Sequence, residues 1–377
     1  MKNFFLALLF PVLVSCSEKT HEKQSEAYIP ELVITDSLVI DHLTELGMID
    51  VKEDHSEFLF YDFKTNELIR VDKSGEILVK VNRSEDGKDS YKTQYFITAN
   101  YKGENEIIII THAGAFIYDL DFNLLEEKKI QFDLVTRRIG GSRAALTHKD
   151  FFYTFSLEKS AAPEVLKSKD FSNSYSFMSV RDLNTLEILR SDLIPAESQM
   201  AISPGKYNNL DPIVKIVNDE MFVLFPNSPE MYVYTFPGLI LQRSWALNPG
   251  DSYRQILPTR DDTSFEGFLN ALASSEYTDF AFSNDYLLTQ FVGFAPQQEV
   301  DKLPREFIGG PEFMGLVNKY KSKYNYQIFK GEEKLWQGAW DVNLGSVRDV
   351  LYSNAKPGED PEAIEKEVQT IYFYELK

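Results

Sequence analysis

The sequence predicts an all-β protein: a six-bladed β-propeller of four-stranded antiparallel blades, its ring closed by the N-terminal strand, with short helices in loops on one face. Three observations predict it. Six stretches repeat a hairpin pattern, and two longer segments read as complete four-strand units, the repeat expected of a propeller. Aromatic residues, mostly Phe and Tyr, make up 14% of the 377 residues, and such side chains favour a β-rich core.

The hairpins are LIRVDKSGEILVK from Leu68, FIYDLDFNLLEEK from Phe116, MSVRDLNTLEILR from Met178, YVYTFPGLILQR from Tyr232, YQIFKGEEKLWQG from Tyr326 and TIYFYELK from Thr370. In the first five the turn contains Gly or Asn, which tolerate the backbone angles of a tight hairpin. Residues 94–130 and 213–247 each read as strands A, B, C and D. A β-sandwich is the alternative, but it needs no repeated four-strand unit. The chain ends at Lys377, soon after a C-like strand, while ELVITDSLVIDHL (31–43) has no repeat of its own around it. That N-terminal segment is therefore expected to complete the last blade. Between Gly345 and Lys377 only VRDVLYS and QTIYFYELK look like strands, so the sixth blade is short of material. The propeller domain is expected over residues 30–377.

The N-terminus carries an address. Lys2 precedes an apolar run from Phe4 to Val14, broken by Pro11, too short for a bilayer core that needs about 20 apolar residues. It matches the hydrophobic region of a secretory signal. Leu13-Val14-Ser15-Cys16 resembles the bacterial lipobox, and Cys16 is the one cysteine of the chain. A thiol there is the nucleophile that takes a diacylglyceryl group as a thioether. The competing reading is an ordinary signal peptide with a cysteine nearby. With a single thiol, no intrachain disulfide forms. Residues 1–15 are thus expected to be a lipoprotein signal peptide and 16–29 a polar tether. The expected location is the bacterial cell envelope, at the outer membrane or surface in preference to the inner membrane. The net charge is −19, and removing residues 1–15 takes away Lys2 to leave −20. Such a chain repels nucleic acid and anionic headgroups, and neither is expected as a partner.

The connections are unequal. The A–B and C–D turns, on one side of the ring, are short. On the other side lie residues 131–142, 196–211 and 247–277 between D and A, and 157–173 and 294–320 between B and C. Binding sites concentrate in long loops on a rigid scaffold, so that face is the expected working face. Thr263-Ser264-Phe265-Glu266 is a capping box. Phe265, Phe268, Leu269 and Leu272 then follow at helical spacing, and Phe313, Leu316, Val317 and Tyr320 repeat it after Pro311. These stripes are expected to pack on the ring.

With its lipobox, polar tether and four-strand units ending in turns such as DKSG and DLNT, the chain resembles the six-bladed propeller lipoproteins of Bacteroidetes-type bacteria, many of them domains of unknown function. The resemblance covers nearly the whole mature chain on weak motifs. There is no YWTD, no repeated WD dipeptide and no Asp-box. Ile139-Gly140-Gly141 and Ile308-Gly309-Gly310 are similar to the kelch double glycine but lack a kelch pattern around them. The resemblance implies an export-side binding or accessory role and transfers no catalytic residue.

Arginine is the residue type biased toward the long loops: Arg137, Arg138, Arg254, Arg260 and Arg305. Guanidinium forks suit carboxylates, phosphates or sulfates, although carboxylates such as Asp261, Asp262 and Glu306 are competing partners. The five histidines show no HxH or HExxH, so no metal site is expected. No GxSxG, P-loop or GxGxxG is present, and no cofactor is expected. Residues 356–367, KPGEDPEAIEKE, are acidic but lack the ligand alternation of an EF-hand loop. The sequence thus points to a lipid-anchored propeller with a non-catalytic binding or accessory role, its ligand a small acidic molecule, glycan or peptide. The alternatives are a glycan- or peptide-processing enzyme using carboxylates on the same face, and a scaffold for another envelope protein.

Overall fold

The structure, a computed structural model, describes residues 29–93, 96–136, 145–161, 171–205, 207, 209–259, 265–304, 309–359 and 367–377. The first element among the described residues is β1 (Leu32–Ile40), which belongs to the last blade. Blade 1 is β2 (Gly47–Val51), β3 (Glu57–Asp62), β4 (Glu67–Asp72) and β5 (Ile77–Asn82). Blade 2 is β6 (Thr98–Lys102), β7 (Glu106–Ile110), β8 (Ala115–Asp119) and β9 (Leu124–Lys128). Blade 3 contains β10 (Phe132–Leu134), β11 (Ala145–His148), β12 (Phe151–Glu158), β13 (Met178–Asp182) and β14 (Ile188–Asp192). Blade 4 is β15 (Ile213–Val217), β16 (Glu220–Leu224), β17 (Glu230–Thr235) and β18 (Leu241–Ala246). Blade 5 is β19 (Glu276–Ser283), β20 (Tyr286–Val292), β21 (Tyr324–Lys330) and β22 (Glu333–Gly338). Blade 6 runs from β23 (Gly345–Val347) through β24 (Val350–Ser353) and β25 (Gln369–Leu376) to β1 at its outer edge.

The innermost strands close a ring: β2 touches β6, β6 touches β11, and so on through β15, β19 and β23 back to β2. The expected closure by the N-terminal segment is present. β1 pairs antiparallel with β25 from Leu32 opposite Leu376 to Ile40 opposite Gln369, with one irregularity between Ile34 and Asp36. Among the described residues, β1 is the strand that completes blade 6, whose first two strands are three and four residues long.

Each gap between consecutive blades holds one hydrophobic cluster. Tyr61 and Phe96 fill the gap between blades 1 and 2, Phe152 and Ile108 that between 2 and 3, and Tyr153 and Phe225 that between 3 and 4. Phe222 and Phe291 sit between blades 4 and 5, Ile328 and Tyr374 between 5 and 6, and Ile40 and Phe60 between 6 and 1. Wedge-shaped gaps between twisted sheets need large side chains, which accounts for the aromatic content. The inner and middle strands are covered on both faces, so β7 (EIIII) and β16 (EMFVL) are almost wholly buried and do not alternate. The outer strands β9, β14 and β18 are mostly exposed.

The turns use local chemistry. After strand C, the carboxylates of Asp72, Asp119 and Asp182 each accept two backbone N–H bonds from two to four residues ahead, at 2.7–3.0 Å. These Asx turns underlie the DKSG, DLDFN and DLNT patterns. On the A–B side, Lys149 and Arg348 occupy the left-handed region usually left to Gly or Asn, with φ of 52° and 49°.

One expected loop contains a strand of its own. β10 lies within 131–142 and pairs with the far end of β12, Phe132 opposite Glu158, while β11 pairs with its near end. β12 is eight residues long, so one edge accommodates both partners in turn. The two expected helices form over Phe265–Leu272 and Pro311–Tyr320. Their stripes meet: Leu269, Leu272, Phe313, Leu316, Val317 and Tyr320 share one cluster with Ala295, Val300 and Leu303.

Candidate functional site

The central channel is blocked at its short-turn end. Arg348 follows β23 in the A–B turn of blade 6. Its Nε and Nη2 donate to the two oxygens of Asp50 on β2, at 2.7 and 3.0 Å. The same guanidinium crosses the axis to blade 3, where Nη1 donates to the Thr147 carbonyl and Nη2 to its hydroxyl, both at 3.1 Å. From blade 4, Lys215 Nζ donates to the Arg348 carbonyl at 2.8 Å. Asp50 also accepts the Tyr101 N–H of blade 2 at 2.7 Å, and Ser346 N–H bonds Asp279 of blade 5 at 2.9 Å. All six innermost strands are thereby tied together. Burial works against the Arg348 charge, but Asp50 outweighs it and holds the guanidinium above its ordinary value. Below this plug is a shallow depression of about 110 Å³ bordered by Lys52, Glu53, His148 and Lys149.

The open space lies on the loop-rich face. A cavity of about 450 Å³ sits over blade 5, with Thr278, Asp279 and Gln290 at its floor and Phe268, Phe313 and Val317 of the two helices above. Glu276, Lys321, Tyr324 and Asn343 complete its polar lining. The segment Asn343-Leu344-Gly345 also borders a second cavity of about 220 Å³ that reaches Lys356, Glu359 and Glu45. Both volumes adjoin blade 6, so the face carries a two-lobed depression of the size usual for small-molecule sites, about 300–1,000 Å³ in total.

The floor is organised by hydrogen bonds. Asp279 Oδ1 accepts the Phe280 N–H at 2.8 Å while Oδ2 takes Ser346. The Gln290 amide donates to the Tyr326 hydroxyl at 3.3 Å, and the Thr278 hydroxyl reaches the Gln290 carbonyl at 3.4 Å. Lys321 caps the Pro311–Tyr320 helix through its N–H to Val317 O at 2.7 Å, and its ammonium donates to the Ser274 carbonyl. Burial pulls the Lys321 ammonium down to about 8, opposed by the charge of Glu276.

Of the residues singled out from the sequence, Cys16, Arg137, Arg138, Arg260 and Arg305 lie outside the described residues, as do Thr263 and Ser264 of the capping box. Arg254 is half-buried. Its N–H bonds Ser275 Oγ at 3.0 Å and its Nη2 donates to Gln297 Oε1 at 3.0 Å, so it ties two top loops together. Sequence reasoning missed Asp50, Lys215 and Arg348. For Asp50 and Lys215 the signal was a charge inside an otherwise apolar inner strand, GMIDV and IVKIV, whereas Arg348, in a turn, carried none. Glu276 and Lys321 carried no such mark.

One group among the described residues has metal-ligand geometry: His42, Asp62 and Glu67. Each of the three already bonds to the protein. Asp62 accepts from Thr44, from His42 Nε2 at 2.9 Å, and from the amides of Lys64 and Thr65 at 2.7 and 3.1 Å. Glu67 takes Thr65 Oγ1 at 2.7 Å and Lys80 Nζ at 3.3 Å. The cluster is a lock between the end of β1 and blade 1.

No helix among the described residues is long and apolar enough to cross a membrane. No family model matches the sequence, and no curated protein does. Among solved structures, the chain is similar to a member of the DUF4221 family from Bacteroides vulgatus, at 11% identity and a TM-score of 0.63, with 93% of this chain and 99% of that one covered. It is also similar to a candidate exported protein from Bacteroides fragilis, at 12% identity and a TM-score of 0.56, with 92% and 95% covered. At these identities the likeness is one of fold: a six-bladed propeller architecture of the kind found in Bacteroides proteins.

Proposed function

We propose that the chain is an exported, lipid-anchored propeller that binds a small ligand, glycan or peptide through its loop-rich face and does not itself catalyse a reaction. The observation that carries the binding reading is the asymmetry of the ring. One mouth of the channel is plugged by Arg348, while the other bears the helices, the long loops and a cavity of about 450 Å³. Export and anchoring rest on the leader and the single cysteine, Cys16. Arg254, with Arg137, Arg138, Arg260 and Arg305, is the proposed set of guanidinium donors to anionic groups on the ligand.

The test is thermal unfolding of the purified protein against glycans, peptides and small acids. A ligand at about 100 times its Kd adds roughly 2.7 kcal/mol, a shift of several degrees. One class that shifts the midpoint supports the reading. No shift, with one envelope protein co-purifying, replaces it with a scaffold, and turnover lost on a single carboxylate change replaces it with an enzyme. Palmitate labelling that persists in Cys16→Ser would remove the anchor.

A further inference from the structure

We propose that the cavity over blade 5 takes a free zwitterion, an α-amino acid or short peptide with an apolar side chain, its ammonium held by Glu276 and its carboxylate by Lys321. This rests on the reading of the loop-rich face as a binding face.

The argument starts from what the two charges lack. Glu276, the first residue of β19, is half-buried, and its carboxylate has no hydrogen-bond or ion-pair partner among the described residues. Lys321 is also half-buried, and its ammonium has one protein acceptor, the carbonyl of Ser274. The two line one cavity and feel each other's field, yet they form no ion pair. A desolvated charge without a partner is costly, and natural proteins pair such charges unless a ligand does so. Here an anion and a cation are held apart with open volume beside them. A ligand carrying both complementary charges satisfies both sites at once.

The rest of the lining narrows the class. Asp279 already accepts the N–H groups of Phe280 and Ser346, one on each oxygen, so Glu276, which accepts none among the described residues, is the freer partner for the ligand ammonium. Phe268, Phe313 and Val317 offer an apolar cover suited to an aliphatic or aromatic side chain. Thr278 and Gln290 are buried and neutral, suited to a peptide or carboxyl group. A phosphate or dicarboxylate would face Glu276 with like charge. A neutral glycan would leave both charges unpaired.

The experiment is calorimetric titration of the purified full-length protein with L-leucine, L-leucyl-L-phenylalanine, its N-acetyl derivative and its C-terminal amide. The free-ended compounds are expected to bind, and each blocked dipeptide to bind at least about ten-fold more weakly, as expected when one buried charge is left unpaired. Glu276→Gln should erase the penalty for N-acetylation and leave the penalty for the amide. Lys321→Met should do the reverse. Should Lys321→Met fail to fold, the Glu276→Gln arm decides alone. Blocked dipeptides that bind as tightly as the free one overturn the assignment, as does the absence of heat with every probe. In that event, a glycan or other small acid that still shifts the melting of the same protein leaves the binding face standing and removes only this ligand class.

Discussion

Arg348 in the last blade and Asp50 in the first meet through a two-point ion pair, 2.7 Å from Nε to Oδ1 and 3.0 Å from Nη2 to Oδ2. The pair lies almost out of water, with side-chain exposures of 14% and 1%. It joins residues 298 positions apart across the seam where the ring closes. A propeller has no covalent closure, so the seam is where blades separate first. Asp50→Asn leaves a buried guanidinium without its counter-charge and should cost about 3–5 kcal/mol, read by denaturant unfolding. A loss below about 1 kcal/mol would mean that the plug does not hold the ring.

The seam has a second fastening in β1. Ile40 is fully buried and Val39, one residue earlier, is 51% exposed. Ile40→Ala should cost about 2–5 kcal/mol, while Val39→Ala should stay within about 0.5 kcal/mol. Equal effects at the two positions would contradict the register of β1 on β25.

Gly75, in the C–D turn of blade 1, has φ +94°, and a Cβ there would lie 2.0 Å from the Val39 carbonyl oxygen. Gly75→Ala should therefore cost more than the roughly 1 kcal/mol of backbone strain alone. Gly103, with φ +60° and open space around it, is the control, and Gly103→Ala should show only the strain. Chemical denaturation of the two variants side by side makes the comparison.

Asp62 makes the stability acid-sensitive. Burial opposes its ionisation, but the bonds from Thr44, His42, Lys64 N–H and Thr65 N–H outweigh it and hold the carboxyl at about 2. The folded value is below the ordinary 3.8, so the stabilisation is present above that pH and is lost as pH falls from 3.8 toward 2. The loss should be about 2 kcal/mol. Thr44→Val should shallow that limb of the stability–pH curve, measured by denaturant midpoints from pH 5 to pH 2. A limb of unchanged slope would assign the acid sensitivity to other carboxylates.

Lys321 should act at the other end of the scale. Its folded value of about 8 is below the ordinary 10.5. The folded protein therefore binds fewer protons than the unfolded chain between those values, and stability rises with pH across that window. The stability difference between the native protein and Lys321→Met should move in the native protein's favour from pH 8 to pH 10.5. A flat difference would mean that Lys321 is better solvated than its surroundings imply.

The repeat and its turns were legible in the sequence because their causes are local. An Asp that folds back on amides two to four residues ahead leaves DKSG or DLNT in the sequence, whatever surrounds it. The helices over Phe265–Leu272 and Pro311–Tyr320 were legible for the same reason, since apolar periodicity is a property of one segment. Even the closure by β1 could be inferred, because the last blade was short of strands. The continuous burial of β7 and β16 was not legible as alternation, because it depends on neighbouring blades covering both faces. Arg348, Asp50, Thr147 and Lys215 meet only because strands from four blades converge on one axis. Glu276 and Lys321 share a cavity only because an insertion folds a helix back over blade 5. Local patterns record what a residue does to its own backbone. Partners that lie hundreds of residues away are decided by ring closure, and a single sequence has no term for that distance.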